Sequence, residues 1–125
     1  DLSSIAFWED ALGDLSTTVI EGTFTKRERT DAASGPTPEA HRLAARFAAK
    51  ESFVKAISSG RYGQDPLVSR LENLEIEVVL DDHGRPSLIL HGEALRLANA
   101  RGIRHIWLSL THEEHSAAAV VVLEG

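Results

Sequence analysis

A chain of 125 residues and 13.6 kDa has room for one domain, and with 42% hydrophobic residues it can bury a core without a disulfide or metal staple. It contains no cysteine, which excludes disulfides, thiolate metal sites and thiol nucleophiles, and its longest apolar run, residues 117–123, is far too short to span a membrane. The formal charge of −6 argues against a general nucleic-acid binder, yet that charge is segregated: residues 1–24 hold five acids and no base, residues 25–61 carry +4, and the remainder carries −5.

In chain order, residues 4–12 predict a short amphipathic helix, because Ile5, Trp8 and Leu12 recur at helical spacing and Gly13 stops them. Thr25, with Glu28 three residues on, has capping-box spacing and starts a second helix. The breaker run Ser34-Gly35-Pro36-Thr37-Pro38 leads into the longest helix, which opens at Thr37 and Pro38 and runs to about Ser58, before Gly60. On it Leu43, Phe47, Val54 and Ile57 form an apolar stripe. Glu51 and Lys55 stand at the edge of that stripe, beside Ala44 and Ala48, either as a simple ion pair one turn apart or as groups turned toward a ligand.

Residues 65–74 predict a further short helix, after which the hydrophobic period changes to two. Ile76, Val78 and Leu80, the turn Asp81-Asp82-His83-Gly84, and Leu88 with Leu90 make a β-hairpin. Residues 92–101 are a helix stopped by Gly102, and strands at 103–110 and 117–123 flank a connector at 111–116. The last strand is apolar on both faces and is expected to be central. The fold class is α+β, a single domain with helices packed on a mostly antiparallel sheet.

Several catalytic patterns fail. In His112-Glu113-Glu114-His115 the second histidine comes three residues after the first instead of four, and the segment sits in a turn between strands, so it is no zincin helix. Ser109 lacks the G-x-S-x-G elbow, and there is neither a Walker loop nor a G-x-G-x-x-G. The loop Ser59-Gly60-Arg61 lies at the wrong end of its helix for dipole-assisted phosphate binding, although its backbone amides can form a nest. His41, His83, His91 and His105 have no acidic or imidazole partner at ligand spacing and read as structural.

The run Arg46-Phe47-Ala48-Ala49-Lys50-Glu51, continued by Lys55 and Ala56, resembles the signature of the holo-acyl-carrier-protein synthase family, the small 4′-phosphopantetheinyl transferases. Three further segments match in the same order: Asp1-Leu2 with Ile5, Phe24 to Glu28, and Leu108 to His112 followed by the strand 117–124. The resemblance covers nearly the whole chain. It implies that family's fold and the transfer of 4′-phosphopantetheine from coenzyme A to a serine of apo acyl carrier protein, releasing 3′,5′-ADP, in fatty acid biosynthesis. It also implies a Mg²⁺ held by Asp1 and Glu51, with Lys55 facing the same diphosphate. Two carboxylates are a sufficient protein share for a cation that seldom sheds all its water.

By the same resemblance Arg46, Ser58, Ser59, Gly60 and His112, with Lys55, would bind the coenzyme, several of them around its 3′-phosphate. The base that takes the serine proton stays open among Glu51, a metal-bound water and His112. The family implies a homotrimer with active sites between subunits, the histidine coming from the other chain; with no charged-then-apolar leader visible, a cytoplasmic location is the default expectation. Its opening strand begins before Asp1, so that strand is expected upstream of the sequence given, and the absence of an initiating methionine agrees. Because residues 4–12 carry Glu9 and Asp10, docking of the carrier falls to Lys26, Arg27 and Arg29. A non-catalytic trimeric coenzyme A-binding module of the same fold is the alternative.

Overall fold

The computed structural model describes residues 1–65 and 71–125. Along the chain come β1 (Leu2–Ser4), α1 (Ile5–Gly13), α2 (Val19–Thr23), α3 (Lys26–Ala33), α4 (Glu39–Ser58), a 3₁₀ turn (Asn73–Glu75), β2 (Ile76–Leu80), β3 (Pro86–Leu90), α5 (Gly92–Ala100), β4 (His105–His112) and β5 (Ser116–Glu124). The class is the expected α+β.

The axis of the molecule is α4. No glycine or proline interrupts it, and six alanines keep it slender, so other elements approach it from more than one side. It is therefore buried nearly all round and not along the single stripe expected: Phe53, Ala44, Ala48 and Ala49 are fully enclosed, whereas Phe47 and Val54 are only partly covered. Its C-terminal half packs with the β2–β3 hairpin, α5 and the inner faces of β4 and β5. Its N-terminal half closes a second cluster with Ile5, Trp8, Phe24 and Ala32. Trp8 stands edge-on to Phe24 at 5.0 Å between ring centres, and its indole N–H donates to Ser3 Oγ at 3.2 Å, so the largest buried side chain leaves no polar atom unpaired.

Both sheets are antiparallel. One has the order β1-β5-β4, with β5 central as its apolar composition requires, and the other is the β2–β3 hairpin. The hairpin turn is tied by Asp81, whose Oδ1 accepts the amides of His83 and Arg85, each at 2.8 Å, and Gly84 supplies the positive φ of +78°. Strands β4 and β5 run further than the hydrophobic pattern suggests. The amide of Glu113 bonds the carbonyl of Ser116 at 2.8 Å, so the expected six-residue connector shrinks to a turn of three.

Two elements are additional to those expected, β1 and α2, whose three and five residues are too short to show a period. Of the expected helix at 65–74, residues 66–70 lie outside the described residues, and its last two positions belong to the 3₁₀ turn. The outer face of the three-stranded sheet is apolar and uncovered: register puts Leu2, Trp107, Val120 and Val122 together, and they are 73%, 56%, 62% and 52% exposed.

A buried ion pair locks α3, α4 and β2. Lys50 Nζ meets Glu28 Oε1 at 2.7 Å with both side chains wholly enclosed, and it also donates to the carbonyls of Asn73, at 2.8 Å, and Ile76. Glu28 accepts in addition the amides of Thr25 and Val78, each at 3.0 Å, while Thr25 Oγ1 caps the helix by accepting the Glu28 amide. The capping box read from spacing is thus real, and its glutamate serves twice. Burial pushes the Lys50 ammonium below its ordinary range, and the Glu28 carboxylate opposes that shift.

Candidate active site

The end of β1, the middle of α4 and the centre of β5 converge on one place. Ser52 is buried on α4, and its hydroxyl donates to the Ala119 carbonyl at 3.1 Å while accepting from the backbone nitrogen of Asp1 at 3.1 Å. The Ala119 amide donates to the Asp1 carbonyl at 2.9 Å. These bonds seat the Asp1 backbone, and its Oδ1 then meets Lys55 Nζ at 2.7 Å. The Lys55 side chain is 68% exposed and that of Asp1 is 21% exposed, so water screens the pair and it adds little to folding. It lines an open depression of about 240 Å³ with Ser52 and residues 119–121.

Glu51 is half-buried on the preceding turn of the same helix. Among the described residues it has neither a hydrogen-bond nor an ion-pair partner. Lys55 is therefore touched by one carboxylate and stands one turn from another. Among the described residues no three histidine, aspartate or glutamate side chains converge into a ready-made metal cage. Asp1 lines the open depression, and Glu51, which does not line it, stands on α4 one turn before Lys55.

Ser58, Ser59 and Gly60 are exposed at the end of α4, about one turn beyond Lys55, and Gly60 has a φ of +86°. The Arg61 guanidinium folds over the Asp65 carbonyl at 2.7 Å. Arg46 is elsewhere: it is 2% exposed, its Nη1 donates to the Arg42 carbonyl at 3.3 Å, and its Nε and Nη2 are buried without partners. Burial pushes it below its ordinary range, with Glu28 opposing.

His112, the last residue of β4, is not beside Lys55. Its Nδ1 lies 3.2 Å from Nδ1 of His41, in the first turn of α4. Fourteen residues of helix separate His41 from Lys55, which at 1.5 Å per residue is about 21 Å. Within one chain the two halves of the expected constellation therefore sit toward opposite ends of α4.

The expectation that His41 and His91 have no partner is corrected. His41 meets His112, and His91 Nε2 lies 3.1 Å from Glu77 Oε1, whose other oxygen accepts from Thr25 Oγ1. Spacing along a segment cannot show partners brought together from different strands and helices. Ser52 was likewise missed, although a small polar residue on an enclosed helix face was a usable signal. Lys26 and Arg27 are exposed in the first turn of α3, and Arg29 is half-buried.

A profile described as the 4′-phosphopantetheinyl transferase superfamily matches residues 1–120. A holo-[acyl-carrier-protein] synthase of Mycolicibacterium paratuberculosis is 43% identical over 125 residues, covering 99% of this chain and 92% of that protein. Among solved structures, the acyl carrier protein synthase of Mycobacterium tuberculosis has a TM-score of 0.75 at 40% identity, covering 99% of this chain and 92% of that one. The Chronobacterium ammoniagenes ACPS–CoA complex has a TM-score of 0.85 at 34% identity, covering 99% and 93%.

Proposed function

The chain belongs to the 4′-phosphopantetheinyl transferase superfamily, and from that premise we infer that it is a holo-acyl-carrier-protein synthase. It transfers the 4′-phosphopantetheine group of coenzyme A to a serine of apo acyl carrier protein. The serine oxygen forms a bond to the phosphorus that bears the pantetheine arm, the bond from that phosphorus to the bridging oxygen breaks, 3′,5′-ADP leaves, and the serine proton passes to a base.

The observation that carries the reading at residue level is the Asp1–Lys55 contact at 2.7 Å over an open depression, with Glu51 one turn away and without a protein partner. A transfer of this kind asks mainly for positioning and for charge placed where negative charge develops. Lys55 supplies an ammonium on the diphosphate, and Ser58 to Gly60 lie within about one turn of it for the remaining phosphate or pantetheine contacts. Asp1 and Glu51 would hold a Mg²⁺, which when bound neutralises the diphosphate and favours departure of the ADP.

The assembly we propose is a homotrimer with the site between subunits. The 3′-phosphate and the diphosphate of coenzyme A hang from one ribose, only a few bonds apart, whereas His112 touches His41, which is about 21 Å along the α4 axis from Lys55 within a chain. A histidine that serves the 3′-phosphate therefore comes from a second copy. The uncovered sheet face around Trp107 and Val122 supports such association, since contiguous exposed apolar surface of this kind is characteristic of interfaces. Arg46, enclosed as it is, would act on the coenzyme only by turning outward. Lys26 and Arg27 are the exposed cations offered to an acidic carrier.

The test is a mass measurement. Incubated with coenzyme A, Mg²⁺ and apo carrier, the protein is expected to add one phosphopantetheine to the carrier serine. Glu51→Ala is expected to abolish the addition with an unchanged far-UV spectrum and melting transition. Full activity of that variant overturns the metal-site assignment, and binding of coenzyme A without any gain in carrier mass overturns the enzyme.

A further inference from the structure

The transfer chemistry leaves His41 without a task. Its ring meets that of His112 edge to face, with centroids 5.1 Å apart, planes at 87° and the two Nδ1 atoms 3.2 Å apart. At that separation one nitrogen must carry a hydrogen and the other a lone pair, because two hydrogens or two lone pairs would repel. Each ring then has only Nε2 left for a third party.

His41 lies in the first turn of a 20-residue helix, and His112 ends a strand and is exposed. An imidazole that donates to an anion through one nitrogen and to a neighbour through the other carries a hydrogen on each, so with a phosphate at Nε2 of His112 its Nδ1 needs an acceptor, and Nδ1 of His41 at 3.2 Å is the group placed to accept.

We propose that His41 is a positioning residue for coenzyme A: its Nδ1 accepts the Nδ1 hydrogen of His112, which fixes the His112 ring and leaves its Nε2 hydrogen to the 3′-phosphate. The proposal rests on the reading of His112 as a 3′-phosphate ligand. A histidine that holds a ligand through one nitrogen is ordinarily oriented by an acceptor on the other, commonly a carbonyl or carboxylate. Here a second imidazole, 71 residues away in the chain, takes that place.

Calorimetric binding of coenzyme A and of 3′-dephospho-coenzyme A to the assembled protein tests it. His41→Ala is expected to weaken coenzyme A by about 10- to 100-fold, the usual effect of removing such a supporting group, and to leave the dephospho form unchanged. His41→Asn, whose amide oxygen accepts, should recover most of the loss, and His41→Arg, which adds charge but no acceptor, should not. In ¹⁵N spectra of the coenzyme complex the His112 Nδ1 should be protonated in the native protein. Undiminished binding by His41→Ala while His112→Ala binds poorly overturns the proposal alone, as does rescue by arginine equal to that by asparagine. If His112→Ala leaves the preference for the 3′-phosphate intact, the ligand role of His112 falls and the role of His41 with it.

Discussion

Lys50 and Glu51 are adjacent in sequence and opposite in fate. One is wholly enclosed with Glu28, and the other is left half-open beside the site. Removing one member of an enclosed ion pair leaves an uncompensated charge in the interior, so Glu28→Gln is expected to cost about 3–5 kcal/mol of unfolding free energy. The double variant Glu28→Gln/Lys50→Met removes both charges and should be clearly more stable than Glu28→Gln alone. Urea unfolding of the three proteins checks this, and a double variant no better than the single would show that the hydrogen bonds to Asn73, Ile76 and Val78 matter more than the charge. That Lys50 turns inward was legible in its position, seven residues after Leu43 and three after Phe47, within the apolar stripe, whereas Glu51 and Lys55 stand at the edge. The partner that lets a lysine be enclosed there was not legible, because Glu28 comes from another helix 22 residues earlier.

At the scale of elements, Glu77 ties the β2–β3 hairpin to the start of α3 and to the residue preceding α5. Burial would raise its carboxyl, but the hydrogen bonds from Thr25 and His91, with the nearby charges of His91 and Arg27, outweigh that and hold it below the ordinary carboxylate range. A carboxylate depressed in the folded state contributes stability that is complete above its unfolded pKa and disappears as the pH falls through the folded one. The stability difference between the native protein and Glu77→Gln should therefore be about 1–3 kcal/mol near pH 6–7 and shrink below roughly pH 4. Urea midpoints measured over a pH series read this directly, and a difference that persists unchanged at pH 3 would exclude the ionised Glu77 as its source. The elements themselves were largely legible, because proline before α4, glycine after it, the period-two runs of β2 and β3 and the continuous apolar run of β5 are local signals. Strand β1 was not, since its three residues are strand only because β5 pairs with them.

For the whole molecule, the distance along α4 between Lys55 and the His41–His112 pair is the decisive quantity. Trp107→Lys/Val122→Lys, placed on the uncovered sheet face and outside the depression, should yield monomers by sedimentation and lose nearly all transferase activity while keeping the fold. Full activity in a sedimenting monomer would show that one chain suffices. The sequence pattern groups His112 with Glu51 and Lys55 but carries no separation between them, because a motif orders residues along the chain and leaves their distances to the fold.

The adjacency of Lys50 and Glu51 also bears on how such a chain can change over time. Each step along a helix turns by about 100°, so one residue gained or lost between Arg46 and Lys50 would carry the lysine out of the interior and swing its neighbours toward it. Foundation and worksite would be lost in the same event. Drift in this segment is thus confined to exchanges of one side chain for another, and length variation is pushed out to the loops on either side.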